Sequence, residues 1–588
     1  TGATCTVSPA LPTGLNIDSS TCTISGTPTV ETSNTTYTVT ANISGTTYQG
    51  TVWLATVPFG TITSPVMGAE LGLGEAMTPI TLNYTSQAGN ATLYNGNGTT
   101  WMVKDIDDAV HYLERSPERL TVVGDTLFFH YVRYNDLTNG SLYKTDGTES
   151  GTVEVKSQLN MVNSPPVALG NLLLFWANDG SNGTELWKSD GTESGTVMLK
   201  DINNGISNVN QGGSMPSTGD TIEFAVIGNT AYFMANDGIH GRGLWATDGT
   251  EAGTVLVKGT NNGSGLTMVG GDLKAVGNTL YFQGNDGIHG TELWKSDGTE
   301  AGTVMIKDNC VQCGFGEANQ QSSYGRVSHI TPVGNIVFFE QEDGIHGREL
   351  WKSDGTASGT VLVKDIRNGS AGSHPLGGVK GYANVGDAEF AVMDGNIYFQ
   401  ATENNDGPAL WKSDGTEAGT VKVKASISGG IWMAATSDRV FIAEQSWPQS
   451  YLHVTDGTEA GTIQLEGFYS RPSELMVIGD TVFFAGHPGV AGNPGPAEGL
   501  WKSNGTVNGT VMAAEICPGT QGTPCGYFST HPKLTNFNNK LFFVAAFSDG
   551  TTSSSGSTNY EVYGYDPTNV TLNTPPPVSW ETHPELPE

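Results

Sequence analysis

Leu350-Trp351-Lys352-Ser353-Asp354-Gly355-Thr356-Ala357-Ser358-Gly359-Thr360-Val361 is the clearest copy of a motif that the chain repeats eight times. The other copies begin at Leu142, Leu186, Leu244, Leu293, Leu410, Leu452 and Leu500, with Tyr143 and His453 in the Trp place of two of them. Successive copies start 42 to 60 residues apart. That is the length of one four-stranded blade with variable loops, so the repeat predicts a β-propeller before any single residue is weighed.

Working outward from this copy gives the rest of a blade. Ser328 to Val333 reads as the innermost strand, Ile336 to Phe339 as the second, Glu349 to Ser353 as the third and Thr360 to Lys364 as the fourth. Asp-Gly between the third and fourth strands is hairpin chemistry: the carboxylate can accept from the backbone two residues on, and glycine can take a positive φ. Asp146, Asp190, Asp248, Asp297, Asp354, Asp414 and Asp456 are therefore read as structural turn residues. Tyr143, Trp187, Trp245, Trp294, Trp351, Trp411 and Trp501 are read as aromatics packed between blades.

The ends decide the blade count. Leu541 to Val544 and Tyr560 to Tyr563 supply strands without a full motif, and Trp101 to Ile106 resembles a fourth strand with no blade of its own. Joining them predicts nine blades with a composite closing blade, a clasp that leaves no sheet edge open. Eight blades follow instead if the copy around His453 is incomplete.

The repeated motif resembles the ELWxSDGTxxGT repeat family of exported microbial proteins. At the other end, Gly14-Leu15, Asp18, Thr21 and Ile24-Ser25-Gly26-Thr27-Pro28 closely resemble the immunoglobulin-like modules of bacterial and archaeal surface proteins, which implies a spacer or adhesive unit. The expected organisation is an all-β chain: an Ig-like β-sandwich over 1–57, an entry segment over 58–90, the propeller over 91–572 and a Pro-rich extended tail over 573–588.

Composition narrows the function classes. Among 588 residues, 59 Asp and Glu face 27 Lys and Arg, a formal charge of −32 that repels nucleic-acid phosphates and anionic headgroups. Nucleic-acid binding is excluded on this ground, and no apolar run is long enough to span a bilayer. The six cysteines fall into three short-range pairs, Cys5 with Cys22, Cys310 with Cys313 and Cys517 with Cys525, which suggests local disulfides and an oxidising compartment. Twelve Asn-x-Ser/Thr sequons, among them Asn34, Asn42, Asn83, Asn139, Asn182, Asn262, Asn368 and Asn569, agree with export and glycosylation. The start carries no signal peptide, so the chain reads as a mature or excised segment.

Three Asn/Glu-Asp-Gly-Ile-His-Gly turns place Asp237 with His240, Asp286 with His289 and Asp343 with His346. Histidine beside carboxylate invites a metal reading, but each pair belongs to a different blade, and the turn reading is preferred. No cofactor is expected; calcium at individual acidic loops stays open, with no EF-hand pattern to support it. No Gly-x-Ser-x-Gly, His-Glu-x-x-His or phosphate loop occurs. Long, individual links at 203–220, 309–327, 367–387 and 517–531 share a face with the turns between second and third strands, so recognition is expected there rather than on the uniform hairpin face.

The resulting expectation is a non-enzymatic extracellular or cell-surface protein, structural or adhesive, partnering itself in a filament or binding surface glycans. The alternative is a polysaccharide-acting enzyme with carboxylates gathered at the channel or on the long-loop face, or a lectin using Trp432 and Trp447. A pocket joining two carboxylates with an Arg or His distinguishes the enzyme, since repetition alone predicts none.

Overall fold

The structure is a computed structural model. It describes, with short interruptions, residues 3–57, 69–80, 99–106, 115–203, 223–259, 272–309, 327–373, 390–487, 499–515, 533–545 and 561–567. Two compact units are distinguished, Thr1–Trp101 with Trp501–Ala514 and Tyr565–Glu588, and Met102–Leu500 with Glu515–Gly564.

The N-terminal module is a pair of small sheets. Ala3–Ser8, Thr32–Ile43, Thr46–Val57 and Ala69–Gly72 form one in that order, and Leu15–Ile17, Ile24–Gly26 and Met77–Ile80 form the other. Cys5 and Leu15 are buried, and the Cys5 amide donates to the Ser19 carbonyl at 2.8 Å. Cys5 is disulfide-bonded. A covalent staple matters in a module this small, whose apolar core alone is marginal.

Nine sheets make the propeller; seven are meanders of four strands in chain order, blade 2 has a fifth short strand because Asn160–Met161 and Val167–Leu169 both pair with Leu172–Asn178, and the ninth is completed from the N-terminal side. Blade 5 shows why. Ser328–Val333 turns at Gly334, φ +59°, so that Val333 pairs with Ile336. This is a two-residue hairpin loop whose twist matches the strands. Ile336–Glu342 then pairs with Arg348–Ser353, which pairs with Val361–Lys364. Val337, Phe338, Phe339 and Leu350 are fully buried because neighbouring blades cover both faces of the sheet. At the junction with blade 6, Phe338, Leu350 and Val363 pack with Ile397, Phe399 and Trp411.

The first strands are Arg115–Val123, Val167–Leu169, Ala225–Ile227, Lys274–Val276, Ser328–Val333, Ala391–Met393, Ile431–Ala435, Ser473–Ile478 and Thr535–Phe537. They form the inner ring: neighbouring first strands touch at the junctions of blades 1–2, 3–4, 4–5, 6–7, 7–8 and 8–9, and blade 9 touches blade 1. The closing blade is composite. Thr535–Phe537, Lys540–Ala545 and Glu561–Asp566 are completed by Thr99–Met102 from the N-terminal side, and the Val103 amide donates to the Val562 carbonyl at 2.9 Å. Blade 7, which contains His453, has all four strands, Ile431–Ala435, Val440–Glu444, Ser450–Thr455 and Ile463–Phe468, so the count is nine and not eight.

Lysine adds a second set of junction contacts. Lys144, Lys188, Lys295 and Lys412 in the third strands donate across to Gly191, Gly249, Gly355 and Gly457 carbonyls in the next blade at 2.7–2.8 Å. Lys200, Lys258, Lys307 and Lys364 at the fourth-strand ends do the same to Thr254, Thr303, Thr360 and Thr420 carbonyls. Lys104, two residues past the strand that closes the ring, donates to the Thr152 carbonyl of blade 1 at 2.9 Å.

Candidate functional site

The hairpin end of each blade is chemically self-contained. Asp354 Oδ1 accepts from the Thr356 amide at 2.8 Å and from its hydroxyl at 2.7 Å. Thr356 Oγ1 accepts from the Gly359 amide, and the Thr360 hydroxyl donates back to the Thr356 carbonyl. A Cβ on Gly359 would lie 2.1 Å from Asp354 Oδ1, so the second glycine of the motif makes room for the carboxylate. Asp146, Asp190, Asp248, Asp297, Asp414 and Asp456 repeat these bonds, and in all seven the Thr hydroxyl, then its amide, hold the carboxyl below the usual range. Asn504 accepts the same two bonds in blade 8.

Trp187, Trp245, Trp294, Trp351, Trp411 and Trp501 are buried. Tyr143 is half-buried and stacks on Phe129 with centroids 5.4 Å apart. His453, in the Trp place of blade 7, instead meets the buried Glu444 at 2.7 Å.

At the other end, the three Asp–His turns close on themselves. His240, His289 and His346 Nδ1 lie 2.6, 2.6 and 2.7 Å from Oδ2 of Asp237, Asp286 and Asp343. Each Asp Oδ1 also accepts two backbone amides of its own turn, as Asp343 does from Ile345 and His346. The Asp partner raises His289 and His346 above the ordinary histidine range. Among the described residues no group of three or more His, Cys, Asp or Glu is arranged to hold a metal ion.

Several expected sites fall outside the described residues: Cys22, Cys310, Cys313, Cys517 and Cys525, the sequons Asn83, Asn139, Asn262 and Asn569, and Trp447. Asn34 lies in the strand Thr32–Ile43. Asn42 and Asn368 are exposed, whereas Asn182 is half-buried and donates to Asp179 at 3.0 Å. Trp432 is half-buried in the first strand of blade 7, opposite Ala443.

Among the described residues, one arrangement of carboxylates with a histidine and an arginine lies where the first strand of blade 5 begins, at the end opposite the Asp-Gly-Thr hairpins. In blade 5, Glu340 is 2% exposed and its Oε2 is 3.3 Å from His329 Nδ1, 3.5 Å from Arg348 Nη1 and 3.3 Å from Ser328 Oγ. Asp272, from blade 4, accepts the His329 amide at 2.7 Å. Burial works against charge on both Glu340 and His329, but each stabilises the other: Glu340 is held below the usual carboxylate range and His329 above the usual histidine range, with Asp272 adding to the latter. Two carboxylates, a histidine and an arginine are thus gathered at one place. The His329 side chain keeps 30% of its surface exposed.

Backbone strain marks the same register. His329 has φ +58°, Arg119 of blade 1 +57°, Glu474 of blade 8 +57° and Lys533 of blade 9 +49°, each five residues before the inner turn. The first strands of blades 1, 5 and 8 carry a bulge here. Thr121, Thr331 and Thr535 hydroxyls brace the bend by donating to the carbonyls of Arg119, His329 and Lys533. Glu223 and Asp272 hold the same register in blades 3 and 4. In blade 1 Arg119 meets the buried His130 at 3.1 Å, and burial and then Arg119 press that imidazole down to about 3. Reading the motif alone passes over this register, because the signal is a count of five back from the first residue of the inner turn, Gly124, Gly228, Gly277, Gly334, Gly479 or Asn538.

Comparison with known proteins adds three findings. Residues 1–57 match the family model described as "Putative Ig domain". A search of curated proteins gives no match. Among solved structures, the chain is similar in fold to a puromycin hydrolase at 12% identity and TM-score 0.38, over 75% of this chain and 60% of that one. It is also similar to a puromycin-hydrolyzing peptidase of Mycobacterium tuberculosis at 10% identity and TM-score 0.32, over 64% and 58%. Prolyl oligopeptidase B from Galerina marginata follows at 11% and 0.34, over 74% and 56%. The chain spans less than two thirds of these structures' length. At these identities the likeness is one of fold alone, shared with hydrolases and peptidases, and the expectation of a non-enzymatic structural or adhesive protein is not kept. Sequence repetition argued against an asymmetric cluster; blade 5 has one.

Proposed function

We propose that the propeller acts on a polysaccharide, with its substrate seated at the channel mouth on the long-loop face and blade 5 supplying the chemistry. The observation that carries this is the gathering of His329, Glu340, Arg348 and Asp272. An imidazole whose hold on its proton is strengthened by a buried carboxylate, yet which is partly open to solvent, is a group that can give a proton to a leaving oxygen and take one back. Arg348 offsets the charge of Glu340 and lies where an anionic centre would be met. The eight motif copies, the Ig-like module and the disulfide-bonded Cys5 support placing the chain among exported ELWxSDGT-repeat proteins, working outside the cell.

The test is degradation. The full chain is incubated with a panel of neutral and acidic polysaccharides, and new reducing ends and unsaturated products are followed. Wild type releases product from at least one, and His329→Gln slows release about 100-fold or more, the usual scale for loss of a positioned proton-transfer group. No release from any polymer, or an unchanged rate in H329Q, overturns the proposal.

A further inference from the structure

His329 carries its imidazole on a backbone that a regular strand does not supply. The bulge there sets two residues, His329 and Ile330, against the single Phe339, and His329 has φ +58°. A non-glycine residue in that region persists only where its surroundings hold it. Two hydrogen bonds brace it. The Thr331 hydroxyl donates to the His329 carbonyl at 3.2 Å from within the strand, and the His329 amide donates to Asp272 Oδ2 at 2.7 Å across the junction with blade 4. Glu223, at the same register of blade 3, also reaches toward the next first strand, but there it meets a side chain, Lys274 at 3.3 Å. Blade 1 shows that the bend itself does not call for an acid. Arg119 takes φ +57° at a bulge, the Thr121 hydroxyl braces its carbonyl, and the residue at this register in the adjoining blade 9 is Lys533. An ammonium cannot accept an amide hydrogen. The left-handed bend therefore forms behind a cation as well as behind a carboxylate.

The acid at Asp272 consequently serves the side chain that blade 5 carries at the bend. We infer that Asp272 is a positioning residue: by fixing the His329 amide from blade 4, it turns Nδ1 of the imidazole to Glu340 and leaves Nε2 to exchange a proton with substrate. This rests on the reading of His329 as the proton-transfer group, and it adds how that group is held. The charges acting on the ring are Glu340 and Arg348 of its own blade and Asp272 of blade 4. Glu340 and Asp272 favour the imidazolium, and Arg348 opposes it. Asp272 thus contributes two separable things, a bond to the backbone and a charge near the ring. Asparagine in its place keeps an acceptor and loses the charge, whereas alanine loses both.

Magnetic resonance titration of the full chain with isotope-labelled histidine side chains reads the ring directly, with His329→Gln identifying its signal. Degradation rates are followed against pH in parallel. Asp272→Asn is expected to lower the His329 midpoint by about half a pH unit or more, the effect of removing a nearby charge, and to keep kcat within about 3-fold below that midpoint. Asp272→Ala is expected to lower the midpoint as well and to cost kcat about 10-fold or more with KM little changed, the effect of a misplaced reacting group. Thermal melts check the fold, and if D272A does not fold, the midpoint in D272N decides. A midpoint that stays in place in D272N, or a D272A chain with the kcat of wild type, overturns the inference. So does an equal loss of kcat in both variants, which is what a merely structural residue gives. A chain that degrades no polymer sinks the proposed function; the positioning role then stands or falls on the midpoint, which must still drop in D272N.

Discussion

Glu349 shows how much one position in the repeat can differ from its equivalents. It is the second residue of the third strand of blade 5, is fully buried, and accepts from the amides of Ile366, Arg367 and Ser373 and from the Ser373 hydroxyl. Its carboxyl therefore anchors the start of the long link that leaves blade 5. Blade 6 has Ala409 at this place, paired with Ala425; one step past the Leu350–Lys364 pair, Glu349 stands across from Asp365, whose Oδ1 is buried without a hydrogen bond. Asp343 and His346 in the adjoining turn and Arg367 in the link are the other charged groups around it. Burial pushes Glu349 up to about 7 and outweighs the four donors. A carboxyl raised in the folded state binds its proton more tightly there than in the unfolded chain. Its contribution to stability is thus complete below the ordinary glutamate range and is lost as pH rises through about 7. His130 acts in the opposite sense, its contribution being present above the ordinary histidine range and lost as pH falls toward 3. Thermal melts of wild type and Glu349→Gln at pH 5 and pH 8 separate the two. Wild type loses more stability than E349Q on going to pH 8; parallel losses would contradict the assignment.

The individual blade was largely legible because its signals are local. Ser353, Asp354, Gly355, Thr356, Gly359 and Thr360 lie within one hairpin, and each has a bond or a close approach that its residue type or a near equivalent satisfies, as Asn504 does for Asp and Thr455 for Ser. The lysines of the motif were not legible, since their partners are carbonyls one blade away. Lys364 is an example: it donates to the Thr420 carbonyl at 2.8 Å and also lies 5.7 Å from the Trp411 ring centroid. Replacing Lys364 with Met keeps the apolar stem and removes the donor. The expected cost is about 1–2 kcal/mol, the scale of one partly buried charged hydrogen bond. Because the acceptor is a carbonyl and not an ion, the loss is nearly independent of salt, unlike that of a surface ion pair. Denaturant titration at low and high salt measures it, and a loss that vanishes at high salt would contradict the junction role. The blade 5 cluster escaped the sequence for a related reason: Asp272 comes from blade 4, and the bulge at His329 fixes which side chain meets Glu340.

At the scale of the whole propeller, repetition and closure set the frame, and the departures from repetition mark the site. The inner strands follow one another around a ring whose closing blade an N-terminal strand completes, so that blade is not left one strand short. The hairpin end repeats the same bonds blade after blade and offers no group out of the ordinary. The mouth at the other end varies from blade to blade, with Arg119, Glu223, Asp272, His329, Glu474 and Lys533 at one register. This contrast was foreseen only as a difference in loop length; the charged register itself depends on bulges that no single residue announces. The most direct test of the account is an experimental structure of the full chain with a bound oligosaccharide of the polymer it degrades. The account predicts the sugar at the blade 5 cluster, with a glycosidic oxygen within hydrogen-bond reach of His329. Sugar bound at the Asp-Gly-Thr hairpin end or on the Ig-like module, with the mouth empty, would contradict it.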